Sequence, residues 1–264
     1  FFHLKREIIR IRSVKYRDLS EGYGYIRIAQ FQERTGEEFA RALRELHRRN
    51  GGTIRGLVLD LRNNPGGLVD PAVAVAGRFV GEGLQDSLIV SMKGRDPSSR
   101  KELSATIGEK EPHYPMVVLI NNGSASASEI VAGALQDYKR AVVMGTQSFG
   151  KGSVQSIIPM KGGAALKLTT ARYFTPKGRS IQVRGITPDI IVDAAEKAEP
   201  IKEDGIDIRE ADLDGHIEPG GDERIMQKQG RPHPVAGKRA SAGDYQLFRA
   251  LDLLKGIDLL EKRK

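Results

Sequence analysis

The sequence contains no cysteine and no tryptophan, and only 6% of its 264 residues are aromatic. The absence of cysteine excludes disulfide scaffolds, iron–sulfur clusters, zinc fingers and thiol catalysis. No apolar run approaches the roughly 18 residues of a membrane-spanning helix. The chain opens with Phe1 and shows no leader pattern, so we expect a fragment or processed form whose targeting segment is not visible.

The excess of basic residues lies near the two ends of the chain. The sequence has 42 Lys and Arg against 34 Asp and Glu, a formal net charge of +8. Residues 1–20 contain six basic and two acidic residues and residues 219–243 contain five and two, whereas residues 21–218 contain 26 of each sign. A groove that binds nucleic acid would place its positive charge on the folded body. We therefore predict no nucleic-acid partner.

Apolar runs and amphipathic patterns alternate through the first half of the sequence. Residues 54–61 and 116–120 are near-continuous apolar runs, typical of buried strands. Residues 35–50 and a small-residue segment that runs toward Phe79 predict helices. Further along, residues 154–183 predict strands joined by glycine turns. This order predicts an α/β core with extra β-strands.

The composition changes after Asp193. Residues 194–243 are rich in Glu, Lys, Gly and Pro, which predicts a linker or tail. Residues 244–264 contain an amphipathic helix. We predict that this helix mediates homo-oligomerisation, because its leucine-rich face would otherwise be exposed. Docking of the helix onto the core of the same chain is an equal alternative.

The titratable residues show no metal-ligand pattern. The sequence lacks His-Glu-x-x-His, and its five histidines are scattered: His3, His47, His113, His216 and His233. We predict that the protein needs no metal and no cofactor. His113, just before a predicted strand, is the one histidine placed to serve as the base of a Ser-His-Asp site, a role that we do not favour.

Residues 145–152 (Gly-Thr-Gln-Ser-Phe-Gly-Lys-Gly) nearly match a phosphate-binding loop. Such a loop needs Ser or Thr directly after its lysine, to reach magnesium, and a helix whose N-terminus receives the phosphate. Gly152 has no hydroxyl, and residues 153–160 favour a strand, with Pro159 unfavourable to a helix. Nucleotide binding is therefore a disfavoured alternative.

Lys151 and Ser126 together suggest a different chemistry. A desolvated lysine amine can act as a general base. Ser126 lies in a Ser-Ala-Ser-Ala-Ser run at a predicted strand-to-helix turn, where a helix N-terminus and free N–H groups can stabilise an oxyanion. The structural alternatives are a capping box formed by Ser126 and Glu129, and an exposed turn lysine. These residues alone leave both interpretations open.

Five segments, taken in order, resemble the carboxy-terminal processing proteases, the tail-specific serine peptidases of family S41. The resemblance covers residues 7–193 and a tail that begins at Asp244. Its segments are Gly-Tyr-Gly-Tyr-Ile-Arg-Ile at 22–28, Leu-Asp-Leu-Arg-Asn-Asn-Pro-Gly-Gly at 59–67, Asn-Gly-Ser-Ala-Ser-Ala-Ser-Glu-Ile at 122–130, Ser-Phe-Gly-Lys-Gly-Ser-Val-Gln at 148–155 and Gly-Ile-Thr-Pro-Asp at 185–189. It implies a crotonase/ClpP-like α/β protease core, with additional strands, at residues 21–193.

The resemblance also implies a Ser/Lys dyad that hydrolyses peptide bonds through an acyl-enzyme. Ser126 matches the family's nucleophile and Lys151 its base. Gln155 matches the residue that orients the lysine.

The Asn-Pro-Gly-Gly loop matches the other half of the family's oxyanion hole. The N–H group of Gly67, or else that of Gly66, would act there together with the N–H group of Ala127.

Partners and location follow from the same resemblance. Substrates would be proteins or peptides with extended C-terminal tails, an adaptor protein is a further expected partner, and the periplasm is the expected compartment. In the family, a peptide-binding PDZ domain normally precedes the segment that corresponds to residues 1–20, and we expect the present chain to be a core without that domain. A catalytically silent peptide-binding protein on the same fold is the alternative function.

Overall fold

The computed structural model describes residues 12–19, 21–81, 87–105, 108, 110–194 and 244–261. The strands are β1 Val14–Asp18, β2 Tyr23–Ile28, β3 Gly56–Asp60, β4 Leu88–Gly94, β5 Lys101–Ser104, β6 Met116–Ile120, β7 Val142–Gly145, β8 Ser153–Pro159, β9 Ala165–Phe174 and β10 Ile190–Ile191. The helices are α1 Thr35–Arg49, α2 Val69–Gly77, α3 Ala127–Asp137 and α4 Tyr245–Glu261. The predicted α/β class with extra strands is confirmed.

A six-stranded sheet forms the centre of the fold, with the strand order β1-β2-β3-β6-β7-β10. β1 is antiparallel to β2, and every other neighbouring pair is parallel. The inner strands are covered on both faces, which explains their unbroken apolar sequences. In β3, Leu57 and Leu59 face one side of the sheet and Val58 faces the other.

Helices α1, α2 and α3 cover the Leu57 face of this sheet. The predicted apolar side of α1 (Phe39, Leu43 and Leu46) is fully buried there. α2 and α3 present small residues to each other, so their backbones pack closely against one another and against the sheet.

The smaller sheet has the order β5-β4-β9-β8 and is antiparallel throughout. β8 and β9 form a hairpin at one edge of it. Several large apolar side chains of this hairpin are exposed, among them Ile157 at 71% and Leu166 at 44%. The hairpin therefore extends outside the core that the helices and the main sheet enclose.

Helix α4 covers the opposite face of the main sheet. Its apolar residues Leu247, Ala250 and Leu254 are buried against Val58 and its neighbours on strands β2, β6 and β7. The docking alternative for this helix is thus confirmed. Homo-oligomerisation through α4 remains a prediction, although the chain's own sheet covers part of the apolar face that motivated it; Phe248 is 50% exposed.

Two predicted parts of the chain lie mainly outside the described residues. These are most of the N-terminal segment 1–20 and almost all of the linker 194–243, with His3, His216 and His233. Among the helices that the structure describes, none has the length and apolar character needed to cross a membrane.

Candidate active site

Three loops meet at one edge of the main sheet because β3, β6 and β7 are parallel and end there. Residues 61–68 follow β3 and lead into α2, and residues 121–126 follow β6 and lead into α3. Residues 146–152 follow β7 and lead into β8. This edge is where open α/β sheets bind their ligands. Its loops and the helix start that follows carry all the site residues predicted from the sequence except Gln155, which lies on β8.

Ser126 occupies the turn between β6 and α3, as the N-cap residue of the helix. Its backbone has φ 54° and ψ −113°, a conformation that L-residues rarely adopt and that costs on the order of 1–3 kcal/mol. The predicted capping box with Glu129 is present. The N-terminus of α3 therefore begins at the proposed nucleophile, with its partial positive charge directed toward it.

The two flanking serines have structural roles. Ser124 is fully buried, and its hydroxyl donates to the carbonyl oxygen of Leu61 at 2.8 Å. Ser128 is also fully buried, and its hydroxyl donates to the carbonyl oxygen of Asn64 at 2.9 Å. Ser126 is the half-buried member of the Ser-Ala-Ser-Ala-Ser run. Its position leaves it accessible to a substrate.

Asn64 joins the loop after β3 to the turn before α3. Its side chain is fully buried and donates to the carbonyl oxygen of Ile28 at 2.8 Å. The carbonyl oxygen of Asn64 accepts the N–H group of Ala125 at 3.0 Å in addition to the Ser128 hydroxyl. The two loops are thus bonded together beside Ser126.

The two candidate oxyanion glycines differ in what their N–H groups contact. The Gly66 N–H group donates to Oδ1 of Asn64 at 2.9 Å and is therefore occupied. Gly67 forms a parallel bridge with Phe31, in which Phe31 N–H donates to the Gly66 carbonyl and Leu68 N–H to the Phe31 carbonyl. This pattern turns the N–H group of Gly67 away from Phe31.

Only glycine fits at position 67. Its φ is 136°, and a Cβ there would lie 2.1 Å from the carbonyl oxygen of Phe31. Among the described residues, neither the N–H group of Gly67 nor that of Ala127 at the first turn of α3 has a hydrogen-bond acceptor. Both N–H groups are therefore available to a bound oxyanion, whereas Gly66 packs against the Ser126 turn.

Glu129 links the nucleophile turn to the loop that carries Lys151. Its Oε2 accepts the N–H groups of Ser126 at 2.7 Å and Lys151 at 2.9 Å. Its Oε1 accepts the hydroxyl of Ser148 at 2.6 Å and the N–H group of Gly150 at 2.7 Å. One carboxylate therefore fixes the main chain at both members of the predicted dyad.

The environment of Glu129 opposes its charge. The side chain is fully buried, and this desolvation raises its pKa to about 7, although the four donated hydrogen bonds favour the ionised form. Full use of both oxygens as double acceptors requires the carboxylate to be ionised. The site is thus built around a group that titrates near neutral pH.

Lys151 is half-buried at the entrance to β8. Within the described part of the chain, its amine has no ion pair and no hydrogen bond. Gln155, four residues later on β8, is exposed and pairs with Thr169 of β9, and its side chain has no bond to another described residue. Its predicted role as the residue that orients the lysine stays a prediction.

The sequence predicts Glu129 only as a cap and does not single out Ser148 or Gln182 as site residues. The Ser148 hydroxyl donates to Glu129 and accepts the Ile186 N–H group at 2.6 Å. Gln182 is fully buried, and its side-chain oxygen accepts the Gly152 N–H group at 2.9 Å. The glycines on either side of Lys151 are the available signal, because a glycine has no side chain and can be held only through its backbone, as the N–H groups of Gly150 and Gly152 are.

Two alternative chemistries find no support at this edge. His113 is exposed before the start of β6, at the opposite end of that strand from Ser126. The loop at residues 146–152 is followed by strand β8, so it lacks the helix that a phosphate-binding loop requires. Within the described ranges, no group of three or more acidic or histidine residues is arranged to hold a metal ion.

Comparison with known proteins identifies related chains. The model of Peptidase family S41 matches residues 22–192. A carboxy-terminal-processing protease of Bartonella bacilliformis is 45% identical over 254 residues, which is 95% of this chain and 56% of that protein. A probable CtpA-like serine protease of Staphylococcus aureus is 39% identical over 190 residues, 72% of this chain and 37% of that protein.

A solved structure has the same fold. The photosystem II D1 C-terminal processing protease matches with a TM-score of 0.61 and 35% identity, over 71% of this chain and 50% of that chain. The expected crotonase/ClpP-like core is in agreement with this match. The present chain spans about half the length, or less, of the relatives that it matches.

Proposed function

Because the chain belongs to peptidase family S41, we propose that it is a serine endopeptidase that cleaves proteins at or near their C-termini. Ser126 is the nucleophile and Lys151 the general base. The observation that carries this assignment is the shared oxygen of Glu129, which accepts both the Ser126 and the Lys151 N–H groups. It supports the proposal because residues 25 positions apart are joined beside the N-terminus of α3.

The first half of the reaction forms the acyl-enzyme. Neutral Lys151 takes the proton of the Ser126 hydroxyl as Oγ attacks the peptide carbonyl carbon. The carbonyl oxygen becomes an oxyanion and accepts the N–H groups of Gly67 and Ala127. Protonated Lys151 then gives its proton to the leaving amine as the peptide C–N bond breaks.

The second half releases the acid product. Lys151, again neutral, takes a proton from water, and the hydroxide oxygen attacks the acyl carbon of the Ser126 ester. The same two N–H groups bind the second oxyanion, and Ser126 regains its proton when the ester bond breaks. No metal or cofactor takes part in either half.

Cleavage of an unstructured protein with an apolar C-terminus tests this function. We expect Ser126→Ala and Lys151→Ala to reduce kcat by at least about 1000-fold, because nucleophile and base act as a unit. Lys161→Ala, at the exposed turn between β8 and β9, is the matched lysine control and should retain activity.

A fluorophosphonate should add its phosphonyl group to Ser126 in the wild-type chain, located by mass spectrometry. Cleavage that persists at the wild-type rate in either dyad variant would reject the assignment. Binding of the test protein without turnover in the wild-type chain would instead favour the catalytically silent alternative.

The remaining expectations also stand as proposals. We propose a periplasmic location, substrates with extended C-terminal tails and recruitment by an adaptor protein, on family membership alone. Fractionation of cells that express the full-length protein tests the location.

A further inference from the structure

Arg62 joins the C-terminal helix to the loop that carries Gly67. One edge of its guanidinium group donates to Asp60, from Nε to Oδ1 at 3.0 Å and from Nη2 to Oδ2 at 2.7 Å. The other edge donates to residues at the start of α4, from Nη1 to Asp244 Oδ1 at 2.7 Å and to Gln246 Oε1 at 2.9 Å. Nη2 also donates to Asp244. All five donors of this arginine are therefore bonded.

The position of Arg62 in the chain connects these contacts with the site. The residue comes two positions after the end of β3 and is 9% exposed. Its own N–H group donates to Asp60 Oδ1 at 2.9 Å, and its carbonyl oxygen accepts Arg27 Nη2 at 3.2 Å. Asp60 and Arg27 thus hold the main chain of Arg62 at the first turn of the loop that continues through Asn64 to Gly67.

The two carboxylates around Arg62 differ in origin. Asp60 lies on β3 itself, is fully buried and also accepts the Tyr25 hydroxyl at 2.7 Å. It can hold Arg62 whether or not α4 is docked. Asp244 and Gln246 reach Arg62 only when α4 lies on the sheet, and Gln246 is fixed there by a 2.7 Å hydrogen bond to the Val192 carbonyl. Their absence would leave buried guanidinium donors without protein acceptors.

We propose that Asp244 and Gln246 are positioning residues for the oxyanion hole. Docking of α4 completes the coordination of Arg62, and Arg62 then holds the loop in the conformation that places the Gly67 N–H group beside Ser126. The C-terminal helix is thus required for the reaction as well as for stability. The kinetic part of this inference rests on the proposed peptidase function, whereas the coupling of α4 to the loop does not.

The far end of α4 provides a matched control. Asp258 accepts a hydrogen bond from the Tyr23 hydroxyl at 3.4 Å and forms an ion pair with Arg55. It anchors the same helix to the same face of the sheet, through an arginine, but its described partners lie away from the loop at 62–67. Asp258→Asn therefore weakens docking without a direct effect on Arg62.

The test compares Asp244→Asn with Asp258→Asn in the full chain. Asp244 Oδ1 also accepts the N–H group of Leu247 at 3.1 Å and so caps the start of α4. Asparagine can make the same cap, so the substitution removes the charged contact to Arg62 while the cap is retained. We expect kcat to fall tenfold or more in Asp244→Asn, with KM within twofold, because small errors in oxyanion geometry have large kinetic effects. Asp258→Asn should keep kcat within twofold, and Asp244→Glu should recover part of the lost rate.

Amide hydrogen exchange gives a readout that does not need turnover. The peptide that contains residues 62–68 should exchange at least threefold faster in Asp244→Asn than in Asp258→Asn, with thermal unfolding used to show that both are folded. Gln246→Ala, which removes one contact to Arg62, replaces Asp244→Asn if that variant does not fold. Equal exchange in the two variants would overturn the coupling. A chain without any peptidase activity that still shows the difference in exchange would reject only the proposed function.

Discussion

The predicted nucleophile and the predicted base belong to regions of very different burial. Ser126 stands at the start of α3, whose residues are almost all buried between α2 and the main sheet. Lys151 leads into the β8–β9 hairpin, whose apolar side chains are largely exposed. The geometry of the nucleophile is therefore set by the core. The placement of the lysine depends on a few backbone contacts at the junction, among them the buried bond from Gly150 N–H to Glu129 and the partly buried bond from Lys151 N–H to the same carboxylate.

Outside the proposed dyad, Glu129→Gln has the largest expected effect, because it disrupts the contacts at this junction. Each carboxylate oxygen accepts two donors, so an amide nitrogen in place of either oxygen would face two N–H or O–H groups. We expect kcat to fall by about 100-fold or more, because in either amide orientation one pair of donors loses its acceptor: the N–H groups of Ser126 and Lys151, or the Ser148 hydroxyl and the Gly150 N–H group.

Glu111→Gln is the matched control for this change. Glu111 is also a buried carboxylate, bonded to His47, Arg78 and Tyr114. Its loss should lower the unfolding free energy without reducing kcat of the folded protein. Equal kcat values for the two Gln variants would show that Glu129 matters only for stability.

The pH dependence of stability sharpens the role of Glu129. Burial raises the pKa of Glu129 to about 7 in the folded chain, whereas its ordinary value, which applies to the unfolded chain, is 4.5. Between pH 4.5 and 7 the folded state therefore holds up to one proton more than the unfolded state. The contribution of Glu129 to the unfolding free energy therefore falls as pH rises through this window, by up to about 1.4 kcal/mol per pH unit, and is constant above it.

Urea unfolding from pH 4.5 to 8 measures the unfolding free energy of the wild type and of Glu129→Gln. The wild-type value minus the variant value at each pH isolates the contribution of Glu129. If this difference in unfolding free energy is constant or rises between pH 4.5 and 7, the raised pKa of Glu129 is contradicted.

The ionised carboxylate is the form that accepts all four donors. We therefore expect kcat to increase over the same pH range in which the stability decreases.

The alternation of strands and helices could be predicted because buried parallel strands are continuous apolar runs and α1 is strongly amphipathic. The surface on which α4 docks could not be predicted. Leu247 and Leu254 indicate that the helix has an apolar face, but they do not show which part of the protein covers that face. Likewise, Ser-x-x-Glu spacing predicted Glu129 as a cap. Its contacts with Ser148 and Lys151 depend on a loop that returns to α3 from beyond β7, and local spacing does not encode such a contact.

The two glycines of the proposed oxyanion loop give a second example. Gly66 and Gly67 are equivalent in the sequence, which left the choice between them open. The structure separates them through Asn64, whose side-chain oxygen occupies the Gly66 N–H group. That distinction depends on a buried side chain contacting Ile28 on a different strand, so it required the fold.

A substitution in the exposed hairpin has the smallest expected effect and tests the contrast in burial directly. Ile157 is 71% exposed on β8, and Ile157→Ala should change the unfolding free energy by no more than about 0.5 kcal/mol. Leu59→Ala, in the fully buried part of β3, should cost about 2–5 kcal/mol. Denaturant unfolding of both variants measures the difference. A cost at Ile157 comparable with that at Leu59 would mean that the hairpin is covered in solution, and the dyad would then be enclosed on both sides.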